Sequence, residues 1–396
     1  MKPINIVLSL LTALSLGNGS VWAEKNYGPG VTDTEIKLGQ TMPYSGPLSA
    51  WGTLGRAEAA YFAMINEQGG INGRKVKLIS LDDGYSPPRT VEQTRKLIEQ
   101  DAVLLLFSSF GTPTNTAILR YMNAKQVPQL FIAAIGSKFQ DSQHLPWTMA
   151  LWQDQRTEVV EHVRYLLKNR PNAKVAVLYQ NDDYGKGYLQ PLKDALGDKA
   201  TTMIVAQASY EVSDPTVDSQ IITLKRSGAD TLFTFASPKF AALSIRKTYD
   251  IGWRPYHVVA QPGSSVASVL KAVGFERATG LITASFLKDP TDPQWQNDRS
   301  MQEWTAWMKK YYPEGDLTDW YNVFGYTLAQ AMVHVLRQSG DDLTREAVMR
   351  QAASLKNLEL PMLLPGIKIN TSATDYLPIK KMRLARFDGK RWVSLE

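Results

Sequence analysis

The stretch Ser108-Ser109-Phe110-Gly111-Thr112-Pro113-Thr114 follows the apolar run Val103–Phe107 and precedes a helical pattern. Hydroxyls, a glycine and the first N–H groups of a helix can hold an anion without any metal. The N–H groups of Phe110, Gly111 and Thr112 are expected to lack helical partners. With the hydroxyls of Ser108, Ser109 and Thr112 they would form a cup for a carboxylate. Each charge-assisted hydrogen bond there is worth about 1.5–3 kcal/mol. The same residues also read as an ordinary helix cap, since Ser and Thr cap helices generally.

Two further loops carry candidate groups. In "TMPYSGPLSAWGTLG", residues 41–55, Trp51 stands at a helix start, where it can cover a ligand or simply pack. In "LYQNDDYGKGYLQ", Tyr184 follows Asp182 and Asp183 at the end of a strand. These acids can bind a cation or cap a helix. Gly185-x-Gly187 is too short for a dinucleotide fingerprint, and the acids before it would repel a pyrophosphate. G-x-S-x-G, H-E-x-x-H and P-loop patterns are absent from the sequence, and His144, His162, His257 and His334 are isolated. There is no Cys, which excludes thiol catalysis, zinc-thiolate sites and a lipid-modified cysteine. No catalytic residue, metal or cofactor is expected.

These loops need a scaffold that places strand ends side by side. Strands are expected over 35–41, 76–81, 103–107 and 129–133, with helices over 51–68, 87–100 and 112–125 between them. Short apolar strands alternating with helices predict a parallel sheet covered on both faces. The alternation restarts after residues 147–158. Strands in "NAKVAVLYQ", "TTMIVAQ", "ADTLFTFA" and "YHVVAQ" alternate with helices 185–196, 216–227 and 239–250. Helices 295–312, 319–338 and 344–354 follow, then an extended tail whose turn is Asp388-Gly389. The expected fold is α/β, with two doubly wound three-layer (αβα) lobes. In such sheets ligands sit beyond the carboxyl ends of the strands.

The 396 residues suffice for two cores. The formal charge of +6 comes from scattered cations, with no run longer than two, so a nucleic-acid partner is not expected. Lys2, the apolar stretch Ile6–Leu16 and Val21-Trp22-Ala23 read as a cleaved export signal, residues 1–23. Its removal takes one lysine and leaves +5. A free protein in a bacterial periplasm is expected.

Three quoted segments carry a resemblance. "EIKLGQTMPYSGPLSAWG", "INEQGGINGRKVKLISLDDGYSP" and "QNDDYGKG" resemble, in that order, the branched-chain amino-acid type of solute-binding protein that serves ABC importers. The likeness covers essentially the whole mature chain. It implies a type I periplasmic binding fold, with lobes 24–148 plus 286–360 and 149–285 plus 361–396, joined by three crossovers and hinged around a ligand. It implies a membrane permease as partner and a monomer. The family's carboxylate cup falls on Ser109 and on Ala134 to Gly136, its aromatic lid on Trp51 and its second-lobe aromatic on Tyr184. Another ligand-facing aromatic of the family falls near Ala236. Amino-acid binders place an acid after the last second-lobe strand, where this chain reads Gln261-Pro262-Gly263. A buried ammonium without counter-charge costs several kcal/mol. The expected ligand is therefore a small carboxylate without an α-ammonium, aromatic or aliphatic. Phe110, Trp51, Tyr184 and Trp152 are the rings that could stack on it. The alternatives are an amino acid, with Asp182 or Asp183 as counter-charge, and a sensor domain that reports occupancy to a signalling partner.

Overall fold

Residues 25–395 are described in the structure, a computed structural model. The expected export signal lies outside them. Strand Glu35–Met42 is the axis of the first sheet. It pairs in parallel with Lys75–Asp82 over eight residues, from Glu35 opposite Lys75 to Met42 opposite Asp82. Leu105–Phe107, Gln129–Ile132 and Thr148–Ala150 continue the sheet on its other side, all parallel. Helix Gly52–Glu67 packs on this sheet and against the long helix Trp320–Gln338. The chain therefore returns to the first lobe after building the second.

The second sheet has seven strands. Ile204–Tyr210, Val175–Gln180, Thr231–Phe235, Tyr256–Val259 and Ile282–Ser285 are parallel neighbours in that order. Arg383–Phe387 and Trp392–Ser394 add an antiparallel edge around the expected Asp388-Gly389 turn. Both lobes thus carry a mainly parallel sheet between helices, the expected class. The chain crosses between sheets after Ala150, after Ser285 and between Ala352 and Arg383. The last two crossings run together, joined by the Leu287–Leu363 bridge and by Lys288 N–H to Met362 O.

Several elements differ from expectation. The strand expected from Val103 begins at Leu105: the Val103 amide turns back to Leu97 O, and the Leu104 amide is the first to reach the neighbouring strand, at Lys37 O. Helix Pro87–Arg95 ends in a wider turn, Lys96–Gln100. The helix expected over 185–196 is broken into Asp183–Lys186 and Leu189–Leu196. Thr201–Met203, read as strand, belongs to a short helix before Ile204. Among the described residues no helix is long and apolar enough to cross a membrane.

Candidate functional site

The carboxyl ends of the two sheets face one another across a narrow cavity with about 340 Å³ of empty space, mouth included. From the first lobe come Leu48, Trp51, Tyr85, the run Phe110–Thr112 and the run Ala133–Ile135. From beyond the first crossing come Trp152, Gln180, Tyr184, Ser237 and Pro262. Each stands at or just beyond a strand end or at a helix start.

The opening stretch folds differently from a simple cap. Sheet pairing continues past Phe107 through a bridge between Phe110 and Ala133. Phe110 N–H therefore donates to Thr41 O at 3.0 Å, and Gly111 N–H to Ala133 O at 3.0 Å. The expectation that both amides are free is corrected. Thr112 N–H, and those of Ala134 and Ile135, have no partner among the described residues. These three amides replace the cup expected from residues 110–112. The Thr112 hydroxyl donates to Ile135 O at 2.9 Å and keeps the two cup segments together.

Gly111 has φ +100, and a Cβ there would lie 2.6 Å from both Thr114 Oγ1 and the Tyr85 ring. Only glycine fits without displacing one of them.

Seven expected residues line the cavity: Trp51, Phe110, Gly111, Thr112, Ala134, Trp152 and Tyr184. Five lie elsewhere. Ser108, at φ 52, turns its hydroxyl inward to Glu58 Oε1 at 2.5 Å. Ser109 Oγ accepts the Thr41 amide at 3.1 Å. Gly136 packs against Phe139, and Ala236 is fully buried. Gln261 stands behind the wall, its Oε1 accepting Trp152 Nε1–H at 3.0 Å. Tyr85, Gln180 and Ser237 were missed. All three follow the strand-end rule that located the others, and Ser237 stands next to the expected Ala236.

The walls are aromatic. Trp51 stacks on Phe110 at 4.7 Å and meets Trp152 edge-on at 5.7 Å. Tyr184 Oη is buried and makes no hydrogen bond within normal distance and angle limits. Burial and the nearby Glu158 push its phenol well above the ordinary value. Its hydroxyl is therefore neutral and able to donate.

Acids stay off the cavity wall. Asp182 caps its helix, with Oδ1 accepting Tyr184 N–H at 3.0 Å and Gly185 N–H at 3.3 Å. Its Oδ2 accepts Gln180 Nε2 at 2.5 Å and Tyr85 Oη at 3.4 Å. Asp183 pairs with Lys138 at 2.7 Å. Glu158 accepts Gln261 N–H at 2.6 Å and Tyr188 Oη at 2.7 Å. Among the described residues no acidic or histidine cluster could hold a metal.

Known proteins share this architecture. A Leu/Ile/Val-binding protein homolog 7 of Brucella abortus is 23% identical over 342 residues, 84% of each chain. A branched-chain amino acid ABC transporter structure from Thermus thermophilus with bound valine superposes with TM-score 0.80 at 16% identity, covering 92% of this chain and 96% of that one. A fatty acid ABC transporter substrate-binding protein from Thermomonospora curvata gives 0.77 at 20% identity, covering 94% of each. The family model described as periplasmic binding protein matches residues 35–391, nearly the whole described chain with its cavity between two lobes, and the chain belongs to that family.

Proposed function

We propose that this protein is the substrate-binding component of an ABC importer, capturing a small carboxylate without an α-ammonium between lobes 24–148 plus 286–360 and 149–285 plus 361–396. Closure on the ligand creates the form that docks on the permease, and no bond is made or broken. The carrying observation is the composition of the cavity wall. Unpartnered amides of Thr112, Ala134 and Ile135 meet apolar and aromatic surface, and no lining residue is acidic.

A carboxylate held by these amides gains charge-assisted hydrogen bonds. An ammonium in the same space would find no counter-charge, and Asp182 already receives four donors. The rings of Trp51, Phe110, Trp152 and Tyr184 favour an aromatic or branched aliphatic body. Valine and a fatty acid, named for two structural neighbours, share a carboxylate and differ in the ammonium. The names of the Brucella relatives favour a second reading, an amino acid, with Asp182 released from Tyr85 as counter-charge.

Thermal-shift screening of purified protein against aromatic acids, aliphatic acids and amino acids tests the proposal. A ligand at 100 times its dissociation constant adds about 2.7 kcal/mol of stability. Hits among acids lacking the ammonium are expected, with ligand recovered unchanged. Hits confined to amino acids would refute the reading. The export signal is tested separately, by finding Glu24 as the first residue of the secreted protein.

A further inference from the structure

Behind the wall that backs the ligand cavity lies a second cleft, beside the crossings between the lobes. Gln261 and Trp320 stand at its inner end, with Asp289 and Trp392 along its length. Beyond Asp289 it opens past Trp295 to the surface. With open solvent at the mouth counted, the inner part spans about 330 Å³ of empty space and the overlapping outer part about 450 Å³.

Two buried donors at the inner end lack acceptors. The Trp152 indole can only donate, so Gln261 must turn its oxygen toward it, at 3.0 Å. That fixes the amide and leaves Gln261 Nε2 without a partner, in a side chain only 1% exposed. Trp320 Nε1, on a residue 4% exposed, is also without one. Unpaired buried N–H groups are costly, and each calls for an oxygen.

Along the cleft the need is opposite. Asp289 Oδ1 accepts the Thr291 amide at 2.7 Å and the Thr291 hydroxyl at 2.5 Å. No cation lies within 4.0 Å of its carboxylate among the described residues. Lys288 pairs with Asp298 at 2.7 Å and Arg391 with Asp292 and Asp388 at 3.9 and 3.8 Å, while Arg383, which lines the outer part of the cleft, donates to Pro365 O. Desolvation in this partly buried position pushes the Asp289 carboxyl up to about 6, so at neutral pH it is mostly ionised, with only Thr291 donating to it. Carboxylate and aromatic surface together are what a desolvated ammonium seeks.

We propose that this hinge cleft is a second binding site, for a small amine that also carries a neutral oxygen. The ammonium pairs with Asp289 beside Trp392, and the oxygen receives Gln261 Nε2–H and Trp320 Nε1–H. The site is separate from the carboxylate cavity and does not depend on that cavity's ligand.

Isothermal titration of the mature protein with ethanolamine, n-propylamine and 1-propanol tests this. Ethanolamine, which has both groups, is expected to bind most tightly. Propylamine, lacking the oxygen, should be about fivefold weaker or more, and propanol should not bind measurably. Asp289→Asn keeps the Thr291 contacts and should lower ethanolamine affinity about tenfold. It should leave binding in the carboxylate cavity unchanged. Equal binding of the three probes, no binding of ethanolamine, or an unchanged affinity in Asp289→Asn would overturn the assignment. If that variant does not fold, the wild-type probe series decides alone.

Discussion

The ring of Trp51 lies 3.8 Å from that of Tyr321, centroid to centroid and 22° from parallel, and Tyr321 Oη donates at 2.8 Å to Pro262 O in the other lobe. Trp51 is only 1% exposed. It is a packed member of the wall that joins the lobes and at the same time lines the cavity between them.

Truncating it therefore acts on two quantities. Trp51→Ala removes two stacking partners and opens a void, with an expected cost of about 3–5 kcal/mol in unfolding free energy. Trp51→Phe keeps a ring against Tyr321 and should lose less than half of that. Urea unfolding of both variants checks it. A Trp51→Ala protein as stable as wild type would show that the stack contributes little.

Ser109 and Thr112, adjacent in the opening motif, should separate when mutated singly. Ser109→Ala orphans the buried Thr41 amide, so stability should fall by about 1–3 kcal/mol with affinity nearly unchanged. Thr112→Ala removes the hydroxyl that ties the loop to Ile135 O beside the free amides. Carboxylate affinity should fall about tenfold with a smaller change in stability. Calorimetric titration and denaturant unfolding on each variant check the pair, and reversed effects would place Ser109 at the ligand.

Two buried titrating groups predict opposite pH dependences. Burial raises the Glu58 carboxyl well above 4.5, although Ser108 and Gln40 donate to it. The folded state then binds the extra proton, so this contribution is full below pH 4.5 and fades as pH rises toward the folded value. Glu58→Gln should abolish that decline. Burial lowers His257 to about 3, with the ring bonded to Thr234 Oγ1 at 2.9 Å. Here the unfolded state binds the proton, so stability is full above pH 6.5 and is lost as pH falls toward 3, by about 1.4 kcal/mol per unit. His257→Gln should flatten that acid-side slope. Unfolding free energies from pH 3.5 to 7.5 distinguish the two variants.

The alternation of apolar strands with helical patterns was enough to read the lobes, because both sheets are buried on both faces and their strands are continuous apolar runs. Local sequence was a weaker guide to which way each polar group turns. Ser108 and Ser109 are both hydroxyls at a strand end, yet one serves Glu58 and the other Thr41. That choice is made by residues 50 and 68 positions away in the chain. The pairing of Phe110 and Gly111 amides with Thr41 and Ala133 was hidden for the same reason. The unpartnered amides of Ala134 and Ile135, which join that of Thr112 in the proposed cup, carry no side-chain signal at all. They are left unpaired by irregular backbone just past a bridge, and only the family resemblance pointed to their segment, Ala134 to Gly136.

Tyr85 supplies the last test, because its hydroxyl spans the cleft. Tyr85 sits in the first lobe's loop at φ 60, and Oη reaches Asp182 Oδ2 at 3.4 Å while accepting Gln180 Nε2 at 3.3 Å. Both bonds are long, so each is weak. Asp182 keeps its bonds to Gln180 and to the amides of Tyr184 and Gly185 without them. Tyr85→Phe should therefore change the stability of the ligand-free protein by less than about 1 kcal/mol. The contact exists only while the lobes touch, so its loss should appear in ligand release, faster by about threefold to tenfold in stopped-flow fluorescence. Lys138→Met breaks a second contact across the cleft mouth, the pair with Asp183, whose side chains are 38% and 43% exposed. Solvent screens that pair, so its effect on release should be smaller and should vanish at high salt. Equal effects of the two variants, or a Tyr85→Phe protein with wild-type release, would show that the Tyr85 hydroxyl does not hold the lobes together.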